Sequence, residues 1–300
     1  MARLLFGRGA CGALVTDLQR GLVAKGCDPK GTDGVYGGDT TAAVRQFQGK
    51  LSLPPTGTVS DDLWTAITGA APPDIEARCL QLTASFEGHG YTLAQGNWDK
   101  AWVTWGIIGF TLAAGEIQAI VNHIRLVAPQ CVTNAFGADT ADFLAMIDGT
   151  AAEQEAWANA VSSGSRVIEP WRAYFQWFGS FPEVQAEQRA RAHDKYFVPA
   201  VQTAKALALK SELGLALCFD IHVQNGGVKP AVKTAVQAIP AGQPELVRRE
   251  ALANGAADSS KPDYREDVRS RKLAIARGEG DVHGGHVVLA NWGLADYLAL

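Results

Sequence analysis

The densest group of residues able to do chemistry is Phe86-Glu-Gly-His-Gly-Tyr91, followed by Gly96-Asn-Trp-Asp99 and Thr104-Trp-Gly-Ile-Ile-Gly-Phe-Thr111. Glu87 closes an apolar helical pattern, and Asp99 follows at a glycine-containing turn. Two carboxyl groups in unlike surroundings can share the work of opening an acetal. One stays protonated to release the leaving oxygen, and the other stays ionised to activate water. Glu87 lies beside Phe86 and near a tryptophan-rich segment, and an apolar setting raises a carboxyl pKa, so Glu87 is the expected acid. Asp99, in a polar turn, is the expected base. Trp98, Trp102 and Trp105 flank it, and an indole face stacks on a sugar ring while its N–H bonds a hydroxyl. Glu116 competes for a catalytic role, although its place at a helix start equally suits a first-turn acid.

The elements that must hold these residues are mainly helical. With 300 residues, 47% hydrophobic and 19% charged, the chain can build a sizeable core, and general disorder is excluded. The formal charge of -4 argues against broad attraction to nucleic acid. No apolar run reaches the roughly 18 residues of a spanning helix, so stable membrane insertion is not expected. Arg8 interrupts the N-terminal apolar stretch before a signal-peptide core forms, and no export signal is recognisable. Cys11, Cys27, Cys79, Cys131 and Cys218 read as buried free thiols, with a Cys11–Cys27 bridge as the alternative. The histidines and cysteines form no zinc motif, so neither a metal nor an organic cofactor is expected.

The sequence divides near residue 72. Before it, Leu14, Val15, Leu18, Leu22 and Val23 predict one helix ending at Gly26. A second is capped by Thr40 or Thr41 and carries Ala43, Val44, Phe47 and Leu51, and Asp61 to Ile67 forms a third. Residues 70–74, Ala-Ala-Pro-Pro-Asp, read as a linker. After them helices are predicted at Ile75 to Phe86, Ile117 to Val127, Thr140 to Ile147, Ala151 to Val161, Pro182 to Leu209 and Gly214 to Gln224, with Pro199 breaking the longest near residue 198. Trp98 to Phe110 is the candidate for a small extended or β element. Pro240 to Pro262 reads as a surface excursion before a last helix from Tyr264 to Gly278. Trp171, Tyr174, Phe175, Trp177 and Phe178 form an aromatic cluster for which packing is the stronger reading. Arg265, Arg269, Arg271, Lys272 and Arg277 read as a solvated helix face or as partners of acidic neighbours, with contact to anionic peptide stems as the alternative.

Residues 5 to 69 resemble the peptidoglycan-binding domain of wall hydrolases, through Asp33-Gly-Val-Tyr-Gly37, Thr40-Thr-Ala-Ala-Val44, Phe47-Gln48, Gly57-Thr-Val59 and the helix bearing Val15, Leu18, Gln19 and Leu22. The resemblance makes Tyr36, Arg45 and Gln48 the candidate wall contacts, while Asp33, Gly34, Gly37 and Phe47 serve the fold. The larger part resembles the lysozyme superfamily, and most of all the chitosanase-like muramidases of phage endolysins, through Glu87, Tyr91, Asp99, Thr104 and Gly106. Lys100 and Ala101 depart from the chitosanase pattern, which has a glycine and a basic residue there. The resemblance implies that Glu87 is the general acid and Asp99 the general base, that Thr104 holds the attacking water, and that Tyr91 is a substrate contact.

Phe219-Asp-Ile-His-Val-Gln-Asn-Gly-Gly227 and Gly278-Glu-Gly-Asp-Val-His-Gly284 extend the likeness. Asp220 and Gln224 share one helix face and, with Asn225, either orient substrate or satisfy buried backbone groups. The expected architecture is a three-helix wall-binding domain, 1–70, and a helical hydrolase domain, 75–300. The expected protein is a monomeric phage endolysin, an N-acetylmuramidase that hydrolyses the peptidoglycan backbone. It would accumulate in the host cytoplasm and reach the wall through a holin-like pore. The competing readings are a lytic transglycosylase using Glu87 alone, a chitosanase, a non-catalytic wall-binding protein and an antagonistic effector.

Overall fold

A computed structural model describes residues 3–88, 90–97 and 100–300. The chain begins with β1 (Leu4–Phe6), α1 (Ala13–Ala24), α2 (Gly38–Lys50), β2 (Val59–Ser60) and α3 (Asp61–Thr68). α4 (Ile75–Glu87), β3 (Ala94–Gln95), β4 (Thr104–Trp105), β5 (Phe110–Thr111), α5 (Glu116–Val127), α6 (Pro129–Phe136), α7 (Thr140–Ile147) and α8 (Ala151–Ala160) follow. Then come β6 (Ser162–Ser163), β7 (Arg166–Val167), α9 (Trp171–Phe178), α10 (Pro182–Ala192), a π-helical turn (His193–Phe197) and α11 (Val198–Ala206). α12 (Glu212–Asn225), α13 (Pro230–Gln237), α14 (Glu245–Asp258), α15 (Arg265–Arg277), β8 (Glu279–Val282) and β9 (Gly285–Val288) complete it. The protein is therefore mainly helical, with short strands. Two compact units result: Met1–Ser85 with Tyr196–Leu300, and Phe86–Lys195. The chain enters the second unit near the end of α4 and leaves it within the π-helical turn, a widened turn that precedes the helix-breaking Pro199.

In the first unit, three helices form at the N-terminal end as the apolar spacing predicts. Ser60 caps α3 by accepting from the Leu63 N–H at 3.3 Å, and Gly69 closes it in the left-handed region. α2 starts two to three residues before the expected threonine cap, at Gly38, and the Thr41 hydroxyl instead donates back to the Gly37 carbonyl. The antiparallel pair β1 and β2 was not foreseen, since two- and three-residue strands carry too little alternation to read. Gln19 explains the Asp33-Gly34 turn. Its amide donates to Asp33, Val35 and Thr40, and its carbonyl accepts from the Gly34 N–H at 2.8 Å. The Gln19 amide and then the Val35 N–H hold the Asp33 carboxyl below the usual carboxylate range. Residues 70–74 are irregular, as their prolines predict. The compact unit nevertheless runs past them: the Leu14 N–H donates to the Gln81 side chain at 2.8 Å, and the Gly7 N–H to the Asn291 carbonyl at 3.2 Å.

One expectation for the C-terminal region is overturned. The segment read as a surface excursion contains α14, which packs along α15 and buries Leu252, Ala253 and Ala257. Its alanines and glycine lower side-chain bulk so that helices approach closely: a Cβ on Gly255 would meet Val232 at 2.5 Å. Of the two readings of the basic residues on α15, Arg271 and Lys272 follow the second: they are 1% and 0% exposed and both pair with an acid, Asp220. Glu212, also buried, accepts from Arg3 and Arg78 and from the Ala295 N–H. All five cysteines are free thiols, so Cys11 and Cys27 are not bridged.

The second unit is built on a small antiparallel sheet ordered β5-β4-β3-β7-β6, with helices packed on it. α5 turns Ile117, Ile120, Val121 and Ile124 inward at helical spacing. α8 begins with a reciprocal cap between Thr150 and Glu153. Phe136 and Phe143 stack at 3.7 Å in a core shared with Phe175 and Phe178. α9 meets the residues after α4 with no room to spare, since a Cβ on Gly179 would lie 2.1 Å from the Tyr91 carbonyl oxygen. Gly179→Ala is expected to lower stability by about 1–3 kcal/mol, because backbone cannot yield as a flexible side chain does. A thermal midpoint unchanged from the native protein would contradict that close approach.

Candidate active site

The sequence places Glu87 at the last position of α4, and the helix gives way at Gly88. The Glu87 side chain is half-buried. Tyr91 follows four residues on and is fixed from three sides. Its carbonyl accepts from the Gln188 amide at 3.1 Å, its hydroxyl accepts from Arg189 at 3.2 Å, and the Arg189 guanidinium lies 5.7 Å from its ring centroid. Gln188, fully buried, uses its other end to accept from the Ile107 N–H at 3.0 Å, so one side chain ties Tyr91 to the loop after β4. Thr104, half-buried, sits in β4 between Gln95 on β3 and Thr111 on β5.

Asp99 and Trp98, the expected base and one expected sugar contact, lie outside the described residues, as does His89. The residues around them are held in unusual backbone. Lys100 and Trp102 have φ of 67° and 66°, in the left-handed region that costs non-glycine residues energy. Lys100 stands where the resemblance drawn from the sequence leads to a glycine, the residue that adopts this conformation freely. Asn97 anchors the same turn, accepting from the Trp102 N–H at 3.0 Å and donating to Asn159 at 2.8 Å. Strain held by surrounding hydrogen bonds is characteristic of functional turns.

Several side chains expected at the site do other work. Trp105 is 0% exposed, donates to the Phe175 carbonyl at 3.1 Å and stacks on Phe178 at 5.4 Å, so no face is left for a sugar. Trp102 is half-buried, whereas Trp177, assigned to packing with its cluster, is 54% exposed. Glu116 is 3% exposed: one oxygen accepts from the Thr111 N–H at 2.9 Å and the other pairs with Lys195, which fixes β5 to the start of α5.

In the other unit, Asp220 is wholly buried, accepting from Arg271, Lys272 and the Thr83 hydroxyl, so it orders the core rather than touching substrate. Gln224 is half-buried and accepts from Lys272 at 2.5 Å. Asn225, half-buried at the end of α12, donates to Ser260 at 3.2 Å, and its side-chain carbonyl has no partner among the described residues.

Of the expected wall contacts, Tyr36 and Gln48 are buried. The Tyr36 hydroxyl donates to the Gly57 carbonyl at 2.9 Å, and burial pushes its pKa up. Gln48 donates to Thr56 and Thr58 and accepts from the Gly57 N–H, so both residues build the 56–58 turn instead of offering themselves to a polymer. Arg45 is exposed across that turn, where any side chain on Gly57, at φ 74°, would strike it and Thr41. Among the described residues no cluster of His, Cys, Asp or Glu is arranged to hold a metal, and no helix is long and apolar enough to cross a membrane.

Residues 11–67 match the family described as "Putative peptidoglycan binding domain". No curated protein matches the chain. Among solved structures, the GH46 chitosanase of Gynuella sunshinyii in complex with chitotetraose is similar at 18% identity, with 72% of this chain and 98% of that one covered and a TM-score of 0.52. The native chitosanase from Bacillus subtilis MY002 is similar at 20% identity, covering 68% of this chain and 86% of that one, with a TM-score of 0.51. At these identities the likeness is one of fold. The chain thus joins a peptidoglycan-binding type of domain to a larger part with a chitosanase-like fold.

Proposed function

We propose that the chain is a glycoside hydrolase that cuts the glycan backbone of bacterial peptidoglycan, with residues 1–70 as the wall-binding part and 75–300 as the hydrolase. The union in one chain of a peptidoglycan-binding family match and a chitosanase-like fold carries this reading. Glu87 protonates the glycosidic oxygen as its bond to the anomeric carbon breaks. Asp99 takes a proton from the water that forms the new bond to that carbon, and Thr104 orients the water. On this reading the protein acts as a phage lysin that gains access to the wall through a holin-like pore.

Chitosan hydrolysis is the second reading, favoured by the chitosanases of similar fold. Turnover by the full chain on purified walls and on chitosan separates the two. Faster wall turnover is expected, and chitosan cleavage with inert walls would replace the first reading by the second. Arg45→Ala is expected to weaken sedimentation with walls by about 3- to 10-fold, in line with the ~1 kcal/mol of an exposed charged contact. Unchanged sedimentation would move the wall-binding face elsewhere.

A further inference from the structure

The second unit has a cation beside the candidate site that no acid among its described residues engages. α10 carries Glu183 and Glu187, but Glu183 is drawn to the Cys131 thiol at 3.8 Å and Glu187 to His123 at 3.5 Å. Arg189, exposed on the same helix, has no carboxylate partner among the described residues and rests on the ring and hydroxyl of Tyr91. An aromatic face holds a guanidinium in place while its remaining N–H groups stay available, and that planar fork matches a carboxylate. Tyr91 lies four positions after Glu87, so their Cα atoms lie within about 14 Å of each other.

The surface leading to Arg189 suits a sugar chain. Phe181 is the residue that leads into α10, and Gln185 and Arg189 stand four residues apart on one face of it, about 6 Å along its axis at the rise of an α-helix. At its start the exposed Trp177 lies nearly parallel to Phe181, at 21° and 6.3 Å. Gln185 donates to the Gly179 carbonyl at 3.0 Å, which fixes the amide between the rings and the guanidinium. A stacking surface, an amide and a fixed cation in sequence present the contacts that a glycan bearing carboxylates needs. They meet a polymer of ammonium groups with a like charge.

We propose that Arg189, laid across Tyr91, is a specificity-determining residue that binds a carboxylate on the glycan or its peptide stem, so that the site takes an anionic amino-sugar polymer in preference to a cationic one. The assignment rests on the function proposed above and names how the site tells the two substrates apart. The test uses the full chain as native protein, Arg189→Gln and Arg189→Glu, with kcat/KM measured on purified walls, on walls whose carboxylates are converted to amides, and on chitosan.

The ratio of wall to chitosan turnover should fall about tenfold or more in Arg189→Glu, the scale of one lost charge-assisted hydrogen bond, with a smaller fall in Arg189→Gln. Amidation of the walls should slow the native protein and leave Arg189→Gln little changed, a dependence that a merely structural role would not produce. Turnover lost equally on walls and chitosan, or a ratio unchanged by Arg189→Glu, would overturn the assignment of Arg189 and leave the wall-hydrolase function standing. Walls inert to the native protein would overturn both.

Discussion

Glu87→Gln is expected to lower wall turnover by about 100- to 10,000-fold, the range over which a positioned general acid accelerates a reaction. The amide keeps the size of the carboxyl and its place at the end of α4, but it has no acidic proton to deliver to the departing sugar oxygen. Wall affinity should persist, because the residues matched to the peptidoglycan-binding family end at 67. The informative comparison is therefore turnover against sedimentation with walls. Loss of the first and retention of the second assigns Glu87 to chemistry. Full lysis by Glu87→Gln, with the variant folded, would remove Glu87 from the mechanism.

Asp220→Asn is expected to destabilise the protein by about 3–5 kcal/mol, the cost of removing one member from a buried ionic group. Asp220 accepts from Arg271 at 2.6 Å and from Thr83 at 3.0 Å, and it also pairs with Lys272. Burial by itself raises the pKa of this carboxyl, but the two cations and their hydrogen bonds outweigh it and hold the value down to about 2. An unfolded aspartate titrates near 3.9, so the native state favours the ionised form. The stabilisation is fully present above about pH 4 and is lost as pH falls towards 2. Urea unfolding at neutral pH measures the first effect, and the same experiment from pH 5 downward measures the second. A variant within about 0.5 kcal/mol of the native protein, the range of ordinary surface changes, would mean that the cluster contributes little.

What was readable from sequence was local. The apolar spacing of α1, α3 and α5 announces helices because the residues of one buried face lie within a few positions of each other. Pro199 likewise forecasts the interruption that takes the form of a π-helical turn. α14 escaped because alanine, glycine and serine between prolines resemble a loop, and the surfaces that its small side chains fit come from α13 and α15. The acid that Arg271 and Lys272 pair with could not be named from sequence, because Asp220 is some 50 residues away.

The same distance effect governs the site. Tyr36, Gln48 and Trp105 have the polar tips and flat faces of ligand contacts, yet their tips are claimed by Gly57, by the 56–58 turn and by Phe175. Arg189 went unnoticed because its significance comes from Tyr91, almost a hundred residues earlier, and from acids on its own helix that face elsewhere. The departure at Lys100 was visible in the sequence. Its positive φ adds a physical meaning, since the lysine retains the backbone form natural to the expected glycine.

Mass analysis of fragments released from purified peptidoglycan tests the central claim most directly. The account predicts soluble glycan fragments with hydrated reducing ends, released by the native protein and absent with Glu87→Gln. Fragments ending in anhydro sugars, or no fragments from walls that the native protein binds, would contradict it.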